Sequence, residues 1–542
     1  MSADSVPKWR RVTAKVITAL AFLFVLFTLV VPNELPKLGP LSILRIPLEG
    51  LIGVALMLVL PPKPRKIVAA VLGSLLGLLL IWKLFDMGFY TTLARPFDPV
   101  FDWSFLGPGF EFLAGAIGQG GAVAAAIGIS ILALALIVLM ALASVRLSRV
   151  VAGRQTAATR ALAVLGVIWV GAAAFGAPFA SNSAAALAYD HARQVGSSLQ
   201  DSNAYHAEAS VDAFRDVPGS ELLTGLRGKD VILTFIESYG QVAIQDPVIS
   251  PGVDAVLDAG TAKLRAAGFE SKSAYITSST SGGGSWLAHS TLQSGVYINN
   301  QKRYDTFVAS DRFTLSGAFE RAGWKTVGVV PQNMKPWPEG KVYGYDSYYD
   351  SHTSGYKGKP FFYAQMPDQY TLSAFQRNER DKRYRKPVMA EIDLVSSHTP
   401  FVPLPKMVDW NQVGDGSIFI PQAENGTKPE DIWNDAGKSR AAFGEAIQYS
   451  LNSLISYVQT YGDENLVLVF LGDHQPAPMI TGDGATRNVP VTIVAKDPAV
   501  LERTASWGWH DGLNPGLEAP VWPMQDFRDK FLTTFGPHPP AR

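Results

Sequence analysis

The stretch Asn465-Leu-Val-Leu-Val-Phe-Leu-Gly-Asp-His-Gln475 carries an apolar run that ends in an acid and an imidazole. A short continuous apolar run is the pattern of a buried strand, so Asp473 and His474 fall at its carboxyl end. Two more runs end in a similar way. Val231-Ile-Leu-Thr-Phe-Ile236 leads into Glu237, and Val388-Met-Ala-Glu-Ile-Asp-Leu-Val395 stops shortly before His398. In an open α/β sheet, ligands bind in the crevice outside the carboxyl ends of the strands. Three such strands bring one carboxylate, one Asp-His pair and one His to a single edge, which is the donor set of a metal site.

The chain has 542 residues, more than one domain of roughly 100–200 residues holds. Its formal net charge is zero, so no global field favours nucleic acid, and none is expected as a partner. With no cysteine present, disulfides, zinc-thiolate sites, iron–sulfur clusters and cysteine nucleophiles are all excluded.

The average composition conceals two dissimilar parts. Five segments approach the ~20 apolar residues that cross a bilayer: Ala14–Val31, Ile46–Leu60, Ile67–Phe85, Gly121–Ala143 and Ala161–Ala180. The first ends at Val30-Val-Pro-Asn-Glu34 without a small-residue cleavage site, so it reads as a retained span. Basic residues cluster before the first segment (Lys8, Arg10, Arg11, Lys15), between the second and third (Lys63, Arg65, Lys66), and between the fourth and fifth (Arg146, Arg149, Arg154, Arg160). With five spans all three clusters share the cytoplasmic side, and the large C-terminal part faces outward from the cell membrane. Between the third and fourth spans lies a loop rich in Phe, Trp and Pro, with Phe89, Phe97, Phe101, Trp103 and Phe105, a composition suited to the membrane interface. The expected organisation is a transmembrane domain of five helices over 1–181, a polar linker over 182–228 and an extracellular domain over 229–542.

From Lys229 onward strand-like and helical runs alternate, which predicts an α/β domain with a mostly parallel sheet and helices on both faces. Between its first strands lies Thr280-Ser-Gly-Gly-Gly-Ser-Trp-Leu-Ala-His-Ser-Thr-Leu-Gln-Ser-Gly295. The glycines allow a sharp turn, and a helical pattern follows, so Ser285 stands at a helix start. A serine there is commonly an N-cap. Beside a metal, the helix N-terminus and the cation together favour an alkoxide, and the same serine can be a nucleophile. His289, four residues on, shares the face of Ser285 and either reaches a substrate or packs the helix. His191, His206, His352, His510 and His538 lie in linker, loop or terminal contexts and are not expected as ligands. Lys302 and Arg303 read as a solvated charge pair or a contact for an anion, and Tyr343, Tyr345, Tyr348 and Tyr349 as a sugar-stacking surface or a loop lining.

Four of these elements, in this order behind apolar spans, resemble the alkaline phosphatase/sulfatase superfamily, in its membrane-anchored branch of lipoteichoic acid synthase and the phosphoethanolamine transferases. Phe235-Ile-Glu-Ser-Tyr239 resembles the strand ending in a metal-binding Glu, and Ser281-Gly-Gly-Gly-Ser285 the approach to the nucleophilic Thr, here a Ser. Ser396-Ser-His-Thr-Pro-Phe401 resembles the His-x-Pro-Phe element that contacts the substrate phosphate, and Gly472-Asp-His474 the metal-binding Asp-His pair. The sequence departs from the synthase pocket at Glu339, where an Arg follows the Trp. It departs from the sulfatase signature at Leu287 and His289, which replace a Pro and an Arg.

The resemblance implies that Glu237, Asp473, His474 and Ser285 Oγ hold one divalent cation, Mn²⁺ or Zn²⁺ rather than Mg²⁺. It implies catalytic roles for Ser285 as nucleophile and for His398, with His289 a further candidate. The activity it implies is a phosphotransferase that moves a phospho-alcohol group, phosphoglycerol-like, from a membrane phospholipid to a cell-envelope glycan or glycolipid through a phosphoserine. The alternative is a phosphodiesterase, phosphatase or sulfatase-type hydrolase of the same superfamily.

Overall fold

An apolar segment in a bilayer folds as a helix because every backbone N–H and C=O is then bonded within the segment. In the computed structural model of the chain, residues 8–177, 179–181 and 183–536 are described. Residues up to Gln200, apart from Thr92–Ala94, form one compact unit, and residues from Asp201 onward form a second.

The first unit contains α1 (Lys8–Val30), α2 (Leu48–Val59), α3 (Pro62–Leu93), α4 (Leu106–Gly153), α5 (Gln155–Ala174) and the start of α6 (Ser183–Ser210). Four of these helices, α1, α3, α4 and α5, are long and apolar enough to cross a membrane. The expected second span is the difference. Helix α2 has 12 residues, a length of about 18 Å at ~1.5 Å per residue, short of a hydrocarbon core of about 30 Å. Proline explains where it stops. Leu60 precedes Pro61 and leaves the helical region (φ −71°, ψ 140°), as the residue before a proline tends to do.

Packing among these helices uses small residues and one buried cation. A Cβ on Gly73 or Gly77 of α3 would lie 2.7 Å from the α4 backbone at Ala141 or Ile137, the close approach that a small-xxx-small pattern permits. Lys83, 1 % exposed, donates to the carbonyls of Thr28 (2.9 Å) and Val31 (2.7 Å), answering the free carbonyls at the end of α1. The aromatic loop packs on itself, with Phe97 against Phe85, Phe89 and Trp103.

The second unit is built on a mixed sheet. Its strands are β1 (Asp230–Ile236), β2 (Glu270–Thr277), β3 (Lys325–Val329), β4 (Ser347–Tyr349), β5 (Val388–Leu394), β6 (Leu466–Gly472), β7 (Asn488–Ala495), β8 (His510–Asp511) and β9 (Val521–Pro523). The order across the sheet is β8-β2-β7-β6-β1-β5-β3-β4, with β9 alongside β2. From β6 to β4 every pair is parallel. The departures from a parallel sheet are β7, which runs antiparallel to both β6 and β2, and the two-residue β8, antiparallel to β2. Strands β1 and β6 are buried along their whole length, as central strands covered on both faces are.

The period of two along a strand sorts residues between two cores. Val231, Leu233, Phe235, Val467, Val469 and Leu471 enter one apolar cluster, with Ala288 and Leu292 of α7 (Ser285–Ser294). Ile232, Ile236, Leu468 and Phe470 enter the other, with Phe443, Ile447 and Leu454 of α8 (Ala436–Tyr461). Helices therefore cover both faces, and Glu237 and Asp473 continue the odd-numbered rows just beyond the ends of β1 and β6.

The loop after β1 presses on the end of β6 at Gly472, where a Cβ would fall on the Tyr239 carbonyl oxygen. Gly472→Ala is accordingly expected to lower stability by about 1–3 kcal/mol, the usual cost of overpacking, measured as a fall in the thermal unfolding midpoint of the full chain in detergent.

Candidate active site

The glycine run does what its residue type allows. Gly282, Gly283 and Gly284 all have positive φ (73°, 155° and 81°), a path closed to residues with a Cβ except at a strain cost. The run is pinned to the end of β6 by Gly282 N–H donating to the Gln475 carbonyl at 2.8 Å and by the Ser281–Gln475 bridge. Gly284 is the N-cap of α7, and Ser285 is its first helical residue. The capping reading of Ser285 is therefore replaced: its hydroxyl caps nothing and instead meets Glu237 Oε2 at 3.2 Å and His474 Nε2 at 3.3 Å.

Around that hydroxyl each donor atom is set by a specific hydrogen bond. Asp473 Oδ1 accepts from the N–H groups of Ser238 and His474, both at 2.7 Å, which leaves Oδ2 facing His474 Nε2 at 3.4 Å. The His474 Nδ1–H donates to the Gln475 carbonyl at 2.8 Å, so Nε2 presents its lone pair. Glu237 Oε1 accepts from Ser238 Oγ at 2.7 Å and lies 3.6 Å from that Nε2. Ser238 takes a left-handed backbone (φ 58°) to make this arrangement, a strained conformation of the kind found at functional sites.

The electrostatics follow from burial. Burial works to raise the Glu237 carboxyl, but His398, His474 and the Ser238 hydroxyl outweigh it and hold it at about 2. The Asp473 carboxyl is raised, first by burial and then by Glu237. Glu237, Asp473 and His474 each offer a ligand atom within 4.8 Å of the others. An imidazole lone pair and two carboxylates that face one point repel one another unless a cation lies between them. Oxygen and nitrogen donors in this number fit a divalent metal.

The structure thus brings Glu237, Ser285, Asp473 and His474 together. His398 stands apart from their hydrogen bonds. Its Nδ1 pairs with the Thr399 carbonyl at 2.7 Å, its ring stacks on Tyr363 at 4.0 Å, and its charge acts on Glu237. His289, one turn along α7, stacks on Phe235 at 3.8 Å between ring centres. Its Nδ1 lies 3.3 Å from Glu391 and 3.6 Å from Asp393. Glu391 also accepts from Gln293 and from Tyr345 (3.0 Å).

Glu391 and Asp393 were missed in reading the sequence, although the signal was present. They are the two acids inside the β5 run, at alternate positions, and so share the face that α7 covers. The register confirms this, since Leu233 opposes Glu391 and Phe235 opposes Asp393.

Two other expectations are corrected. Arg303 is not solvated but bonded to Asp201 at 2.7 and 2.8 Å. Tyr343 and Tyr345 stack on each other behind α7, with the Tyr343 hydroxyl on Ser290, and so are closed to a sugar. His191 is buried against Asp86, His206 lies beside Tyr205, and His352 and His510 bond to backbone carbonyls. His538 lies outside the described residues.

No family profile matches the chain, and no curated protein matches it by sequence. Solved structures do. The lipoteichoic acid synthase LtaP of Listeria monocytogenes is 15 % identical over 62 % of this chain and 78 % of its own, with TM-score 0.38. A protein in the alkaline phosphatase superfamily from Vibrio parahaemolyticus is 13 % identical over 61 % and 73 %, with TM-score 0.37. The soluble domain of lipooligosaccharide phosphoethanolamine transferase A of Neisseria meningitidis is 13 % identical over 59 % and 93 %, with TM-score 0.38. At such scores and identities the likeness carries no chemistry or substrate over to this chain.

Burial works against a charged His289, yet Asp393 and Glu391 outweigh it and raise the imidazole to about 9. Its folded value exceeds that of the unfolded chain, so its contribution to stability is full below the unfolded pKa of ~6.5 and is lost as pH rises through about 9. Chemical denaturation of wild type and His289→Gln should differ by at most about 3 kcal/mol near neutral pH. The gap should narrow between pH 8 and 10, and a constant gap would assign His289 a packing role only.

Proposed function

We propose that this chain is a membrane-anchored phosphotransferase that moves a phospho-alcohol group, of the phosphoglycerol kind, from a membrane phospholipid to a cell-envelope glycan or glycolipid. The observation that carries this reading is the Ser285 hydroxyl. It stands at the first position of a helix, caps nothing, and lies 3.2 Å from Glu237 and 3.3 Å from His474. Four long apolar helices suit a donor that resides in the bilayer and are unnecessary for a soluble ester.

Glu237, Asp473, His474 and Ser285 would hold one divalent cation, and the mixed oxygen and imidazole set favours Mn²⁺ or Zn²⁺ over Mg²⁺. When bound, the metal supplies Lewis acidity that lowers the pKa of the serine hydroxyl and offsets charge on phosphoryl oxygens. Ser285 Oγ attacks phosphorus, its bond to the lipid alcohol breaks, and the group remains on Ser285 as a phosphodiester. An acceptor hydroxyl then attacks phosphorus and the Oγ–P bond breaks, restoring the serine. His398, whose Nδ1 is tied to a backbone carbonyl, would use Nε2 to give a proton to the departing alcohol and take one from the acceptor. His289 holds positive charge one helical turn from the nucleophile, where a phosphoryl group gains from it.

Peptide mass spectrometry after incubation with mixed phospholipids and Mn²⁺ should find a phospho-alcohol increment on the Ser285 peptide. Ser285→Ala should lose the adduct and at least about 10³-fold of turnover, as removal of a nucleophile does. Lipid release with no adduct and undiminished turnover in Ser285→Ala would defeat the mechanism.

We infer that the C-terminal unit lies on the outer face of the cell membrane, with the basic residues Lys63, Arg65 and Lys66 on the inner face. Because the chain has no native cysteine, single substitutions report sidedness directly. A membrane-impermeant maleimide should label Ser220→Cys on intact cells and Pro64→Cys only after permeabilisation. The reverse pattern would place the C-terminal unit inside.

A further inference from the structure

Ser238 serves both carboxylates of the candidate metal site at once. Its N–H donates to Asp473 Oδ1 and its hydroxyl to Glu237 Oε1, each at 2.7 Å. The residue is only 4 % exposed, so water does not compete for either bond. Glu237 Oε2 meets the Ser285 hydroxyl, and the Ser238 hydroxyl on Oε1 therefore fixes the rotation of the carboxylate that faces the nucleophile.

The backbone that allows this is costly. The Tyr239 N–H closes a turn on the Ile236 carbonyl at 3.2 Å, which puts Glu237 and Ser238 at the two central positions. Ser238 alone of the pair has positive φ, 58°, at the position where such turns take glycine or asparagine. Strain of this kind persists where the surroundings over-determine the path. Here the Tyr239 carbonyl lies where a Cβ on Gly472 would stand, and the Gln475 side chain lies where a Cβ on Gly240 would stand. Glycine at 238 would relieve the strain, but it has no hydroxyl for Glu237. Groups that hydrogen-bond metal ligands orient them, and losing one typically weakens metal affinity about 10- to 100-fold.

We propose that Ser238 is a positioning residue for the divalent cation, holding both carboxylate ligands ready through a strained turn that lowers the stability of the metal-free chain. This rests on the reading of Glu237, Asp473 and His474 as metal ligands. The same strain explains why a serine occupies a position that suits glycine: orientation of the ligands outweighs local stability.

The test uses the full chain in detergent with two variants. Ser238→Ala removes the hydroxyl and keeps the Cβ, whereas Ser238→Gly removes both. Calorimetric titration with Mn²⁺ should give a Kd about 10- to 100-fold weaker in each variant than in wild type. After the metal is stripped with a chelator, Ser238→Gly should unfold at a temperature about 2 °C or more above Ser238→Ala, because only glycine enters this φ without strain. A purely structural serine would leave Mn²⁺ affinity unchanged in both variants, and that result would remove Ser238 from the site while the metal reading stands. Wild type that binds neither Mn²⁺ nor Zn²⁺ would overturn both. Metal-free Ser238→Gly no more stable than Ser238→Ala would show that the turn stores no strain and overturn that part of the proposal.

Discussion

Two buried carboxylates and one imidazole share a volume in which their donor atoms lie within 4.8 Å of one another, and the C-terminal unit is arranged around keeping them there. Such a grouping is unfavourable in a low-dielectric interior unless each atom is oriented and a cation completes it. The orientation comes from the backbone. Asp473 is fixed by two N–H groups and His474 by a carbonyl, interactions that side-chain rotation alone does not undo.

Strand parity does the rest. Because alternate residues face opposite cores, one face of the sheet receives the row that ends in Glu237, the row that ends in Asp473, and the pair Glu391 and Asp393. Helix α7 covers that face and delivers Ser285 to the first group and His289 to the second. The second group is a different electrostatic object. Burial, then Glu391 and the more distant Asp473 and Glu237, raise the Asp393 carboxyl to about 7, with His289 the opposing influence. A cationic imidazole held in this way supplies positive charge near the nucleophile without a further Lys or Arg.

The N-terminal unit solves its own problem of buried polarity by different means. Lys83 is satisfied by α1 carbonyls, and Asp86 by Asn33, His191 and the Phe97 N–H.

The sequence by itself determined the strand ends and what they carry. Apolar runs closing on Glu237 and on Asp473-His474 are local patterns, and burial of β1 and β6 follows from hydrophobicity alone. The glycine run before Ser285 was legible for the same reason, since three successive positive φ values require that residue. Tertiary structure decided what depends on pairing and proximity. The antiparallel course of β7 is a matter of which edge the strand meets, which its composition does not encode. Whether Ser285 caps its helix or faces two metal-type ligands depends on Gly284 taking the N-cap position. Why His289 is held as a cation became visible only when the register of β1 and β5 set Glu391 and Asp393 beside it, because pKa shifts arise from charges close in space and remote in sequence.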